Sequence, residues 1–150
     1  MKGMFWDREG NEIEDVLTWA PMLEDPEYRI VAVDQDEPGT PMVSTIWEGI
    51  NGALMEATGP FETFETVLLV KDPDKTPDHG RIVHSVKTSS EAEALEQHEA
   101  YCHRYLKRPP APHGGLKAEI VRRELKAKDE IRRVREGETD HGGQQDGAGA

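Results

Sequence analysis

The chain has 150 residues with 18 Lys and Arg against 30 Asp and Glu, a net charge of −12, and a length that suits about one domain with a real core. Hydrophobic residues make up 35% and charged residues 32% of it, so the core must be compact and part of the chain must lie outside it. The charge repels nucleic acid phosphates, no apolar run of bilayer length or secretory signal is visible, and the single cysteine, Cys102, cannot close an internal disulfide, so an acidic, soluble, cytoplasmic protein with no nucleic acid and no membrane partner is expected.

In chain order, Met4-Phe5-Trp6 reads as a short strand ended by the turn Asp7-Arg8-Glu9-Gly10. Asn11 with Glu14 has the spacing of a capping box, and Ile13, Val16, Leu17 and Ala20 share one face of a first helix that Pro21 closes or kinks. Residues 28–33 form an Ile/Val-rich strand halted by Asp34-Gln35-Asp36-Glu37-Pro38-Gly39. Residues 42–50 form the next, with Val43, Thr45 and Trp47 on one face and Met42, Ser44, Ile46 and Ile50 on the other; apolar bulk on both faces points to a central position. After a small-residue connection at 52–60, strands are expected over 61–70 and 81–87. Ser90 with Glu93 caps a second helix running to about Lys107, its semi-apolar face formed by Ala94, Leu95, His98, Tyr101, Cys102, Tyr105 and Leu106.

Short turns between successive strands make antiparallel neighbours. The fold class read from this order is α+β: a four- to five-stranded antiparallel meander with two packed helices in a domain over residues 1–108. That domain holds ten Lys and Arg against twenty-two Asp and Glu. Residues 109–115 read as a Pro/Gly linker. Residues 116–136 then read as a basic amphipathic helix, with eight Lys and Arg against four acids between Leu116 and Arg135. Its apolar stripe is Leu116, Ile120, Ala127, Ile131 and Val134, and Glu119/Arg123, Glu124/Lys128 and Asp129/Arg133 stand at the favoured i,i+4 spacing. Residues 137–150, acidic and without an apolar side chain larger than Ala, are expected to be disordered.

The run Val43-Ser44-Thr45-Ile46-Trp47-Glu48-Gly49-Ile50-Asn51, followed by Phe64-Glu65-Thr66-Val67 and by the helix Glu91-Ala92-Glu93-Ala94-Leu95-Glu96-Gln97-His98, resembles a group of small uncharacterised proteins of actinobacterial phages and prophages. Members carry Val-Ser-Thr-Val-Trp-Leu-Gly-Leu-Asp-His, a Gly/Pro loop, Phe-Glu-Thr-Met-Val, and a helix with Glu-Ala-x-x-Gly-His. The resemblance covers about residues 1–106 and implies a phage-accessory setting rather than a defined activity. Asn51-Gly52 stands where members have Asp-His, and Gln97 where they have the helix Gly.

Candidate chemistry is sparse. His84, His98 and Cys102 fall on inward faces and form a metal-ligand set of His/His/Cys type, but no Cys-x-x-Cys or His-Glu-x-x-His anchors it, and packing in the core is the favoured reading. Asp34-x-Asp36-x-x-Gly39 starts like an EF-hand loop, yet Pro38 stands at position 5 and Thr45 at position 12, where a bidentate Glu is needed. Neither a glycine-rich phosphate loop nor a nucleophile elbow occurs. No cofactor is expected, and the chain leans away from enzymes. The expected role is a phage accessory protein acting by protein-protein interaction, with a protein partner or a second copy docking on Leu116, Ile120, Arg123, Ala127, Ile131 and Val134. The alternatives are a metal-dependent hydrolase centred on His84, His98 and Cys102, or a minor virion component.

Overall fold

The computed structural model of the chain describes residues 3–51, 62–72, 74 and 80–148, with side chains through residue 137. It is α+β, as the pattern implied. A two-stranded ladder pairs β1 (Phe5–Trp6) with β2 (Glu12–Ile13), closed by the Asp7 carboxylate accepting from the Asn11 N–H at 2.8 Å. The main sheet orders β3 (Ile30–Gln35), β4 (Met42–Trp47), β5 (Phe64–Lys71) and β6 (Gly80–Thr88) as successive antiparallel neighbours.

The first helix differs from the expectation. Ile13 belongs to the small ladder opposite Phe5 and is buried there, so the Asn11/Glu14 spacing never forms a cap. Asp15 caps instead, its Oδ1 accepting from the Thr18 N–H at 2.8 Å, and α1 runs Val16–Glu24 with Pro21 inside it. Asp25 then ends α1 and opens the short α2 (Pro26–Arg29), accepting from the Glu27 N–H at 3.1 Å. Pro26 takes the first helical position, where its missing N–H costs nothing; the strand expected from residue 28 therefore begins at Ile30.

β4 lies between β3 and β5, as its two apolar faces required. Register places Val43 opposite Leu68, Thr45 opposite Thr66 and Trp47 opposite Phe64, and all six are buried. Trp47 is fully buried, donates from Nε1 to the Trp6 carbonyl at 2.9 Å, and meets Tyr28 edge-on with ring centroids 4.9 Å apart. The chain leaves β4 through Gly49 at φ 67, where a Cβ would lie 2.1 Å from the indole Cζ2, so only glycine turns there without displacing the ring. The connection expected over 52–60 lies outside the described residues.

α3 (Glu91–Tyr101) packs on the same face. The Ser90 hydroxyl accepts from the Glu93 N–H at 3.2 Å, and the Glu93 carboxylate reaches back to the Ser89 N–H at 3.3 Å, one residue earlier than in a regular capping box. A π-helical turn, Cys102–Leu106, continues the helix until Lys107 at φ 59. Ala94, His98, Cys102 and Leu106 are its buried stripe, while Leu95 is exposed. Phe5, Ile13, Val31, Trp47, Phe64 and Ala94 make one core cluster, with Trp19, Met22 and Leu23 of α1 against it; Val43, Leu68, Cys102 and Leu106 make a second.

The stretch read as a linker is seated on the sheet edge. After a turn at Pro112–Gly114, Gly115 forms a parallel bridge with Val33, and the Leu116 N–H donates to the Val33 carbonyl at 2.8 Å. Gly115 has φ 62, and a Cβ there would fall 2.2 Å from the Val33 carbonyl oxygen. One compact unit accordingly spans Met1–Ala118 and a second Glu119–Ala150. Helix α4 runs Lys117–Ala148, beyond the Gly137 where a stop was expected, because Gly137 lacks the positive φ of a glycine cap. The expected disorder falls on side chains beyond the described residues. Among the described residues no helix is long and apolar enough to cross a membrane.

Candidate functional site

The polar centre of the molecule grows from three elements. β3 carries Asp34 opposite Val43, β4 and β5 place Thr45 against Thr66, and α3 lowers His98 between them one turn after Ala94, whose small side chain lets the helix come close to the sheet. His98 Nε2 lies 2.7 Å from Asp34 Oδ2, and Nδ1 lies 2.8 Å from Thr45 Oγ1, which is 2.7 Å from Thr66 Oγ1. The other Asp34 oxygen accepts from Arg108 Nη1 and from the Ala111 N–H, both at 2.9 Å. Arg108 Nε also reaches Asp36 at 2.6 Å. Asp34, His98, Thr45 and Thr66 are each no more than 2% exposed.

Burial alone would raise the Asp34 carboxyl. The Ala111 N–H, His98 and Arg108 outweigh it and hold the group below its usual range, so the carboxylate is an ionised acceptor with its oxygens occupied. Cys102, one turn beyond His98, is pushed up to about 12 by burial and by the adjacent Asp34 charge, which Arg108 offsets only in part. It is a buried neutral thiol.

Hydroxyl, imidazole and carboxylate stand in line in the manner of a hydrolytic triad, but Thr45 has no exposed surface and no substrate reaches its oxygen. The expected metal set is corrected in one member. His98 and Cys102 do come together, while His84 is exposed on β6 and stacks on Tyr105 with centroids 5.2 Å apart; the third ligand atom near them is Asp34, all three lying within 4.8 Å of one another. Its geometry suits a hydrogen-bonded clamp better than a cation, since a guanidinium already sits against the carboxylate and the thiol holds its proton. A cleft of about 360 Å³ opens beside the clamp between Arg8, Leu95, Glu99 and Pro110, with Arg8 tied to Glu91 at 2.5 Å.

A second titratable group sits apart from the clamp. Burial, then a hydrogen bond and like charge from Glu65, push Glu48 up to about 7, against a smaller opposing effect of Lys87 at 3.9 Å.

Of the residues nominated for partner binding, Leu116 and Ile120 are half-buried, whereas Arg123, Ala127, Ile131 and Val134 are exposed. Arg123 bonds Glu119 at 2.5 Å and Arg133 bonds Asp129 at 3.0 Å, the expected i,i+4 pairs. Val121, which the stripe omitted, is buried, and Leu125, four residues on, is half exposed. The sequence reading missed Asp34 as a core acid, together with Thr45, Thr66 and Arg108. The one local sign was that Asp34 directly follows the apolar run at 30–33. No protein family, curated protein or solved structure matches the chain.

Proposed function

We propose that the protein is a non-enzymatic accessory protein that works by protein-protein contact, in the phage setting that the sequence resemblance implies. The observation that carries this reading is the division of chemistry from exposure. The groups with catalytic potential, Asp34, His98, Thr45 and Cys102, are buried and spent on one another, while α4 displays Ile131 at 53% and Val134 at 59% exposure among arginines. An amphipathic helix with an excess of four positive charges between Leu116 and Arg135 fits a partner protein whose apolar groove has an acidic rim. The buried clamp serves this role by fixing residues 108–116, from which α4 departs.

The test is capture from host extract with the full chain and with an Ile131→Asp/Val134→Asp variant, alongside light scattering of each. Loss of the captured protein in a variant with unchanged unfolding temperature is expected. Identical capture by both proteins would overturn α4 as the docking element, and a dimeric mass lost in the variant would make the occupant a second copy.

A further inference from the structure

Acidic residues are missing from two stretches of this acidic chain, residues 80–90 and residues 100–118. The fold brings Tyr105 of the second beside His84 of the first, while residues 108–116 run along β3 at the other margin of the sheet. His84 of β6 stacks on Tyr105 with ring centroids 5.2 Å apart, Tyr101 meets Tyr105 edge-on at 5.4 Å, and the Arg104 guanidinium lies 5.4 Å from the Tyr105 centroid. Arg108 and Lys117 in these stretches are matched by Asp34, Asp36 and Glu27, and Lys87 lies near Glu48. Among the described residues Arg81, Arg104 and Lys107 are in no ion pair. Of the three acids between β5 and β6, Asp72 and Asp74 lie past the end of the ladder at Lys71 and Gly80, and Asp78 lies outside the described residues.

β6 is also the open edge of the sheet, since β5 is its only strand neighbour among the described residues. Residues 80–85 are all exposed, with Ile82 at 55% and Val83 at 37%, and its nine residues contain no proline. The features of this strand that blunt an edge are a bulge at Val83, where the pairing steps from Leu68 opposite His84 to Leu69 opposite Ile82, and its two end charges. We infer that the β6 edge accepts an extended acidic peptide of a partner protein as an added strand beside the Tyr105 and Arg104 platform, an inference that rests on the reading of the chain as an interaction protein but uses a surface other than α4. Main-chain pairing supplies the affinity, and Arg81 and Arg104 select acidic side chains. A second copy fits less well: in the symmetric register centred on His84 it would set Arg81 against Lys87. A nucleic acid has no extended peptide backbone to complete the ladder.

The test titrates the full-length chain with an octapeptide of alternating Glu and Val, with its Lys and Val counterpart, and with oligo-dT, reading amide exchange along β6 by NMR. The acidic peptide should slow alternate β6 amides by about tenfold or more, and its affinity should fall about tenfold in an Arg81→Glu/Arg104→Glu variant whose spectrum is otherwise unchanged. The Ile131→Asp/Val134→Asp variant should bind the peptide normally, so failure of the α4 reading and failure of this one are separate results. Unslowed β6 amides, equal binding of the Lys and Val peptide, or stronger β6 and Tyr105 shifts with oligo-dT would each overturn the inference. Protection of β6 without peptide, with a doubled mass, would assign the edge to a second copy and overturn it equally.

Discussion

His98 is engaged through both ring nitrogens, with Asp34 Oδ2 at 2.7 Å on one side and Thr45 Oγ1 at 2.8 Å on the other. A single imidazole thus joins α3 to two neighbouring strands. Replacing it by alanine removes the ring and leaves a buried carboxylate and a buried hydroxyl each short of a partner. His98→Ala is expected to cost about 3–5 kcal/mol in urea unfolding. A loss under about 1 kcal/mol would show that the ring is dispensable to the core.

Asp34 receives three hydrogen bonds, from His98, Arg108 and the Ala111 N–H. Its carboxyl is held below the usual range, so its contribution is present above the unfolded value and lost as the pH falls through the folded one. Wild type should therefore lose stability on acidification below about pH 4 more steeply than Asp34→Asn, measured by urea unfolding from pH 6 downward. Parallel curves would remove Asp34 as the acid-sensitive group.

Glu48 titrates in the opposite sense. Burial and Glu65 raise its carboxyl to about 7, above the unfolded value, so its stabilisation is complete below about pH 4.5 and disappears as the pH rises to about 7. Wild type is expected to lose about 1–2 kcal/mol between pH 5 and 8 relative to Glu48→Gln, a figure reduced for the group's partial exposure. The comparison needs only urea midpoints at the two pH values, and an equal change in both proteins would refute it.

Truncation should separate the two boundaries. A chain ending at Ala118 keeps the Ala111 bond to Asp34 and the Leu116 bond to Val33 and should unfold cooperatively near the full-length midpoint. One ending at Arg108 loses both, and a drop of about 2–3 kcal/mol is expected. Equal midpoints for the two truncations would mean that residues 109–116 rest on the sheet without holding it.

Trp47→Ala removes the largest fully buried side chain, its hydrogen bond to the Trp6 carbonyl and its contact with Tyr28. A loss of about 3–5 kcal/mol is expected, measured by thermal or urea unfolding. A soluble variant of near wild-type stability would contradict the central place of β4.

The strands were legible because their signals are local. Val43, Thr45 and Trp47 alternate against Met42, Ser44 and Ile46, and Ser90 with Glu93 announces α3 within four residues. The first helix was misplaced because two capping residues, Asn11 and Asp15, stood close together, and only the pairing of Ile13 with Phe5 decides between them. The clamp was half legible. Helical spacing brought out His98 and Cys102, but Asp34 lies 64 residues from His98 and 74 from Arg108, and a capping or periodicity rule has no reach over such separations. Asp34 at the end of an apolar strand looks locally like the start of a turn. Gly115 likewise read as flexibility, although its missing Cβ is what admits the Val33 carbonyl.

The parallel bridge between Gly115 and Val33 also bears on aggregation. It lays the chain's own backbone along β3, so among the described residues the sheet has one margin closed by hydrogen bonds within the chain and one, at β6, left receptive. A sheet receptive on a single margin cannot propagate head to tail from one identical molecule to the next, because each new copy would have to offer the very margin that its own residues 112–116 occupy. Strand addition ends in finite complexes, and the long exposed strand is tolerated without a route to fibrils.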